Sequence, residues 1–411
     1  MKLFVVAVPL FDANMAVKAY ELRYQPSEKL FGLAQSYETY DSATYSPGID
    51  LLNLVGLEPF TGGKPIFIAL NKFLLLSESY KSCQINPTQV VFILSTDIMP
   101  DPEYLNKCVD LKNAGYGIAL NNLPCHGFNC AFYNIADYAM INTGHPDYVK
   151  ELKVIQNSYP RMKIALTNIF SKKSFNALKV VSNALYEGRF YNQPVTVGVT
   201  KVSPLKANSL RLLRIVSEDD FDLDQISDVI AQDTALSISL LKFINSPAVG
   251  LTTTITSINH AVAMLGQIET SKWIKAAVSA YLADDKPNEI SKLSLSRAKF
   301  AENLAIPFNL YDDQSSLFLM GLFSLIDIIL DMQMENALQE VPVSPEIRDA
   351  LINQSGKYAD VINLIFCYEA ADWEKVSYIL LINGIESEVL NQAFINSLIW
   401  YRDLLEGIGL A

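Results

Sequence analysis

The sequence is poor in the residues on which most metal and nucleophilic sites depend. Its 411 residues contain only three histidines and five cysteines. An odd number of cysteines spread over so long a chain does not form a disulfide framework. This pattern favours a reducing compartment, and we therefore expect a cytoplasmic protein.

Long hydrophobic runs are also lacking. The longest nearly apolar stretch, 317–330, contains Asp327 and is too short to cross a bilayer. The apolar start, 3–11, contains Pro9 and runs straight into Asp12, without a small-residue cleavage site. We interpret this start as a first β-strand rather than a signal peptide, and we expect no membrane partner.

Charge is sparse and mostly negative. Only 18% of the residues are charged, the net charge is −12, and half of the residues are hydrophobic. Such a composition predicts a well-buried globular protein, whose length suggests two to three domains. An acidic surface repels a phosphate backbone, so nonspecific nucleic-acid binding is not expected.

The periodicity of the apolar residues changes near residue 200. Before it, short β-branched or aromatic runs alternate with segments long enough for helices. This alternation predicts a parallel α/β sheet, open or closed into a barrel. After the segment 192–204 the pattern becomes helical almost to the end, and Asp233 is the expected N-cap of one of those helices.

Common catalytic motifs are missing or incomplete. The glycine-rich stretches at 61–64 and 356–357 lack the spacing of a phosphate-binding loop. Cys125, His126 and Cys130 lie in one loop, but a zinc site needs a further ligand or an organised water. A loop of buried thiols is therefore favoured over a metal site or a nucleophile.

Six landmarks in the first half occur in a characteristic order. They are 7–24, which contains Tyr20-Glu21-Leu22, followed by 67–71, 90–101, 115–122, 136–142 and 186–188. Together they are similar to EAL domains of the kind that is joined to an HDOD domain. EAL domains are cyclic di-GMP phosphodiesterases built on a TIM-like barrel, and the resemblance implies that fold here.

The resemblance also implies that the catalytic site is degenerate. In active EAL enzymes, carboxylates at these landmarks hold two Mg²⁺ or Mn²⁺ ions. The vestigial site of this chain consists of Glu21, Asn71, Asn121, Asn122 and Asn142. Of these, Glu21 and Asn71 match the family. Its other site residues are replaced at Ile93, Thr96, Met140, the segment 165–169 and Tyr186-Glu187, and Gln25 replaces an arginine that would contact the ligand. One glutamate and several amides are a poor donor set for two hard cations, which predicts an inactive barrel without a metal.

The second half resembles the HDOD domain, a helical relative of HD phosphohydrolases, and the stretch 226–266 carries most of the similarity. An HD hydrolase needs several histidines and aspartates around its metal. Residues 201–411 contain only His260, and the position of the His-Asp pair reads 321–325, with Ser324 among them. We therefore expect a binding module without metal chemistry.

These observations predict a TIM-like barrel at 1–195, a junction at 196–208 and an all-α HDOD domain at 209–411. The favoured function is a non-catalytic bacterial signalling adaptor that acts through protein partners. We expect no catalytic residue, no cofactor and no metal ligand. The first alternative is a metal-free cyclic di-GMP receptor that uses the barrel pocket. The second is an enzyme of another class that uses Cys125 and His126.

Overall fold

A computed structural model describes the protein. The described residues are 3–26, 47–96, 98–121, 131–193, 204–216, 220–245, 249, 255–282, 286–341 and 343–408. They form two compact units. Unit 1 comprises residues 1–193 together with Tyr368–Ser377, and unit 2 comprises the remainder.

Unit 1 is built around a closed barrel of eight strands in sequence order. The strands are β1 (Leu3–Phe11), β2 (Val17–Pro26), β3 (Ile66–Leu70), β4 (Val90–Leu94), β5 (Gly117–Asn121), β6 (Tyr138–Asn142), β7 (Lys163–Thr167) and β8 (Ala184–Glu187). β1 runs antiparallel to both of its neighbours, β2 and β8, whereas all the other pairs are parallel. The expected TIM-like barrel is thus confirmed, and of the two arrangements left open the closed one is correct.

Alternate residues of the strands point into the barrel. The interior cluster consists of Leu10, Ala19, Phe67, Val91, Ile93, Ala119, Met140 and Ala165, with Tyr138 and Leu185 packed against it. The strands are apolar on both faces because helices cover the outer face, as in other parallel sheets. Side chains two residues further along the same strands continue the inward face to the carboxyl end of the barrel.

In the described part of unit 1, six helices connect the strands. They are α1 (Pro47–Val55), α2 (Glu58–Thr61), α3 (Lys72–Leu76), α4 (Pro102–Asn113), α5 (Tyr148–Ser158) and α6 (Lys172–Leu178). Side-chain caps fix several of their starts. Asp101 accepts from two backbone N–H groups at the start of α4, and Ser171 accepts from Ser174 at the start of α6.

A segment from far along the chain completes unit 1. Residues Tyr368–Ser377 group with the barrel. The ring of Trp373 stacks on Phe4 of β1 at 5.6 Å, and the Tyr368 ring meets Phe4 edge-on at 6.1 Å. The Val5 N–H donates to the Tyr368 hydroxyl at 3.2 Å, and both residues are fully buried. The start of β1 therefore has its apolar cover from residues more than 360 positions away in sequence.

Unit 2 is helical. Its helices are α7 (Pro204–Ile215), α8 (Leu223–Ala231), α9 (Thr234–Ile244), α10 (Ile258–Leu282), α11 (Asn288–Asn303), α12 (Gln314–Phe323), α13 (Ile326–Leu330), α14 (Met334–Glu340), α15 (Pro345–Asn353), α16 (Ala359–Glu369), α17 (Trp373–Asn383) and α18 (Ser387–Ile408), of which α16 and α17 contribute the residues assigned to unit 1. Asp233 caps α9 by accepting from Leu236 N at 3.1 Å, as predicted. A kink at Gly266, with φ of 69°, divides α10. No helix in the described ranges is long and apolar enough to span a bilayer.

Candidate functional site at the barrel mouth

The carboxyl ends of the strands surround a cavity of about 240 Å³. This end of a (β/α)₈ barrel is where active sites of the fold lie. The lining residues are Glu21, Arg23, Asn121, Met140, Asn142, Thr167, Asn168 and Glu187. They come from β2, β5, β6, β7 and β8 and from the residue after β7, so the cavity is the mouth of the barrel.

An arginine stands between the two carboxylates of this mouth. The guanidinium of Arg23 donates from Nε to Glu21 Oε1 at 3.1 Å and from Nη2 to Glu21 Oε2 at 2.9 Å. The same Nη2 lies 3.3 Å from Glu187 Oε1. We call Glu21, Arg23 and Glu187 the mouth triad. The bidentate geometry is the strongest form of an arginine–carboxylate pair.

The triad is held in a largely buried setting. The side chains of Glu187, Glu21 and Arg23 are 8%, 15% and 35% exposed. Burial alone would lower the pKa of Arg23, but attraction by the Glu21 carboxylate, and then by Glu187, raises it above its ordinary value. Two carboxylates and one guanidinium leave the mouth with a formal charge of about −1.

A hydrogen-bond chain extends from Glu187 across the mouth. Glu187 Oε2 accepts from the backbone N–H of Asn168 at 2.9 Å, and the Asn168 side chain donates to Asn142 Oδ1 at 3.1 Å. Asn142 Oδ1 also accepts from Gly144 N at 2.9 Å. Asn168 adopts φ of 66°, a left-handed conformation in which asparagine is enriched. The carboxyl ends of β6, β7 and β8 are therefore tied together by named donors and acceptors.

The structure brings together only part of the predicted site. Glu21, Asn121 and Asn142 line the cavity. Asn71 does not line it but caps α3, where its side chain accepts from Leu74 N at 2.9 Å. Asn122 lies outside the described residues.

The other positions singled out by the resemblance are dispersed. Ile93 is buried in the barrel interior, whereas Thr96 is exposed after β4. Ile169 is buried, and its backbone N–H donates to the carbonyl oxygen of Glu187 at 3.0 Å. Gln25 is half-buried near the end of β2. Cys125, His126 and Cys130 lie outside the described residues.

Sequence reasoning missed Arg23 as a member of the site. Glu21 and Arg23 are two residues apart on β2, and residues i and i+2 of a strand share a face. This spacing could have identified Arg23, because the Arg23 side chain must point into the barrel if the Glu21 side chain does. Asn168 carried no such signal, because it follows the end of β7 and its role depends on backbone geometry.

The donor set does not fit the pair of divalent ions that the resemblance implies. Magnesium and manganese ions prefer anionic oxygens, and a close pair of ions needs several. The two carboxylates that line the mouth are both bound to Arg23. Within the described residues, no group of three or more histidine, cysteine, aspartate or glutamate side chains is arranged to hold a metal.

An arginine of unit 2 contacts the segment that the resemblance aligns with the His-Asp pair. Arg297 of α11 is 5% exposed, and its Nη1 donates to Ser324 Oγ at 3.0 Å. Its guanidinium packs over the Phe366 ring at 4.9 Å. Gly321 allows the backbone of α12 to pack closely on that of α11, because a Cβ at Gly321 would stand 2.4 Å from the carbonyl oxygen of Arg297. His260, the single histidine of residues 201–411, is exposed.

Comparison with known proteins assigns part of the helical half of the chain. Residues 203–346 match the family described as the HDOD domain. The chain therefore contains an HDOD domain after an eight-stranded barrel, and the predicted order of the two folds is confirmed.

Two relatives match almost the entire chain. The uncharacterized protein YuxH of Bacillus subtilis is 28% identical over 99% of this chain and 100% of its own length. The cyclic di-GMP phosphodiesterase CdgJ of Vibrio cholerae is 24% identical over 98% of this chain and 93% of its own length. The chain is thus related along nearly its whole length to a protein of cyclic di-GMP signalling.

Solved structures with EAL domains match the barrel half. One is the Bacillus subtilis YkuI protein, with an EAL domain, in complex with c-di-GMP and calcium. It is 13% identical, with a TM-score of 0.37, over 49% of this chain and 57% of that chain.

Proposed function

We propose that this chain is a non-catalytic signal-transduction adaptor of the bacterial cytoplasm that acts through protein partners. The observation that supports this proposal best is the mouth triad. Hydrolysis of a phosphodiester by two metal ions requires free carboxylates to hold those ions. Here Arg23 engages both carboxylates of the cavity, so the ions and the water that they would activate have no place.

The HDOD half supports the same proposal by its lack of ligands. A metal-dependent phosphohydrolase of the HD type needs more than one histidine, and the matched segment contains only the exposed His260. A helical domain without such chemistry acts through its surfaces. We therefore expect the partners to be signalling proteins, with no cofactor involved.

A hydrolysis assay tests the loss of catalysis. Cyclic di-GMP is the substrate to use, since the relative CdgJ is named as its phosphodiesterase. The purified full-length chain, with Mg²⁺ or Mn²⁺, should not hydrolyse it above the rate of a buffer control. Glu21→Ala should give the same background rate. Turnover that Glu21→Ala abolishes would refute the proposal, because it would show Glu21 acting as a ligand or base.

A crosslinking experiment in cells tests the adaptor role. The full-length chain, carrying a photo-crosslinking residue at exposed positions of unit 2, should capture the same protein repeatedly. A matched position on the barrel, such as the exposed Lys153, should not. Specific crosslinks confined to the barrel would contradict the assignment of the HDOD domain as the contact surface.

A metal-free cyclic di-GMP receptor is the second candidate. It is favoured by the neutral hydrogen-bonding groups of Asn121, Asn142 and Thr167, which line the mouth and would not repel a phosphate. Against it stand the formal charge of −1 and the volume of about 240 Å³, which is below the usual range for ligands of drug size. Isothermal titration separates the two candidates: a micromolar or tighter Kd for cyclic di-GMP would favour the receptor.

A further inference from the structure

A second and larger cavity lies at the opposite end of the barrel. Its volume is about 800 Å³, and the residues at its floor are the first residues of strands: Gly117 of β5, Tyr138 of β6 and Lys163 of β7. We call it the amino-end cavity. Gly117 packs closely on Val91, because a Cβ at this position would stand 2.9 Å from Val91 Cγ2. The amino end of this fold usually contributes stability rather than a site, so a cavity of this size requires an explanation.

The charge at this cavity is unbalanced. The one carboxylate in its lining, Asp137, is already engaged: Oδ1 binds Lys112 Nζ at 2.5 Å, and Oδ2 accepts from Ile118 N at 2.9 Å. Arg161 and Lys163 also line the cavity, and within the described part of the chain neither forms an ion pair. A local excess of two positive charges therefore faces this space in a chain whose net charge is −12.

An aromatic neighbour holds one of these cations in place. Lys163 Nζ lies 5.2 Å from the centre of the Tyr138 ring and 3.5 Å from its hydroxyl. Tyr138 is itself fixed edge-on against Phe67 of the barrel interior at 5.0 Å. A cation over a fixed ring loses less freedom when it binds a ligand than a cation on an open surface. Lys163 is thus directed towards the cavity by the barrel core.

We propose that the amino-end cavity binds a small organic anion with at least two negative charges. Lys163 and Arg161 are the binding residues, and the ligand is a phosphate ester or a polycarboxylate, whose shared chemistry both cations recognise. A volume of about 800 Å³ lies within the range of small-molecule sites. The mouth has no such excess of positive charge, since its one guanidinium is paired with two carboxylates. The site is therefore separate from the mouth and does not depend on the proposed adaptor function.

Isothermal titration of the full-length chain tests this site. The probes are pyrophosphate and citrate, at an ionic strength balanced with sodium chloride so that general screening is equal. At least one probe should bind saturably with one site per chain. Lys163→Gln and Arg161→Gln should each weaken that binding fivefold or more, whereas Lys153→Gln, an exposed lysine of α5 outside the cavity, should leave it unchanged. Tighter binding of pyrophosphate identifies the ligand as a phosphate ester, and tighter binding of citrate identifies it as a polycarboxylate.

Three results would overturn the proposal. The first is the absence of saturable binding for both probes. The second is an affinity that neither Lys163→Gln nor Arg161→Gln changes. The third is binding lost in Arg23→Met but kept in Lys163→Gln, which would assign the anion to the mouth. Lys163 and Arg161 are exposed, so their variants should fold, and circular dichroism of each variant verifies this.

Discussion

Replacing Arg23 by methionine is the sharpest perturbation of the mouth. The substitution keeps most of the aliphatic volume but removes three contacts, at 3.1, 2.9 and 3.3 Å, and leaves Glu21 and Glu187 facing each other. Breaking a fully buried ion pair by removing one partner costs about 3–5 kcal/mol, whereas a surface pair contributes about 0–1 kcal/mol. Because Arg23 is about one-third exposed, we expect an intermediate loss of about 2 kcal/mol.

Chemical denaturation and a metal titration together measure this effect. Urea unfolding of the variant should show the loss, and Arg23→Lys, which keeps the charge but not the bidentate fork, should show a smaller one. Since the two released carboxylates become available to a hard cation, Mn²⁺ should raise the thermal midpoint of Arg23→Met. The same concentration of Mn²⁺ should not raise that of the unchanged chain.

Two outcomes would refute this reasoning. If Arg23→Met unfolds within about 0.5 kcal/mol of the unchanged chain, the range for an ordinary surface substitution, the triad contributes nothing beyond a surface pair. If Mn²⁺ stabilises both proteins equally, the guanidinium does not exclude a metal from the mouth. The double variant Arg23→Met with Glu187→Gln is the internal control, because removing one carboxylate should recover part of the loss.

Three further predictions concern the barrel. Tyr368→Phe removes the acceptor of the buried Val5 N–H and should lower the free energy of unfolding by about 1–2 kcal/mol, measured by urea denaturation. Gly62→Ala should lower the free energy of unfolding by about 1–2 kcal/mol, because Gly62 has a positive φ but open space around it. Gly188→Ala should lower the free energy of unfolding by more than that, because the new Cβ would stand 2.1 Å from a carbonyl oxygen. The third prediction concerns metal and charge at the mouth. EDTA should leave the thermal midpoint of the unchanged chain where it is. Asn121→Asp should lower the free energy of unfolding by about 1 kcal/mol, because the new carboxylate repels the carboxylates that line the mouth.

Strands β3 to β7 were predictable from the sequence because each contains a short apolar run, whereas closure into a barrel was expected only from the resemblance. The length and order of those runs already implied parallel strands with crossover helices. The cover over the start of β1 was not predictable in the same way. Tyr368 and Trp373 lie within helical patterns of the second half, and nothing local indicates that they pack on Phe4. The boundaries at 1–195, 196–208 and 209–411 stay a proposal, and Tyr368–Ser377 is the segment on which a test of them should focus.

The candidate site was predictable only in its ancestral positions. The resemblance names Glu21, Asn121 and Asn142, and these three residues line the mouth. It does not reveal which side chain pairs with Glu21. Arg23 stands at a position for which the resemblance assigns no role, so its pairing with Glu187 of a distant strand became evident only from distances.

Each unit places an arginine where the resemblance expects metal ligands. In unit 1, Arg23 binds two carboxylates, and in unit 2 the buried Arg297 donates to Ser324 where the resemblance expects a metal ligand. A guanidinium stays charged at every physiological pH, and a covalently attached cation cannot be lost to a chelator or to a fall in ion concentration. It also cannot activate a water molecule, as a bound divalent ion does. Under the proposed function, both units keep their folds without a bound ion, and the output depends on their surfaces rather than on turnover.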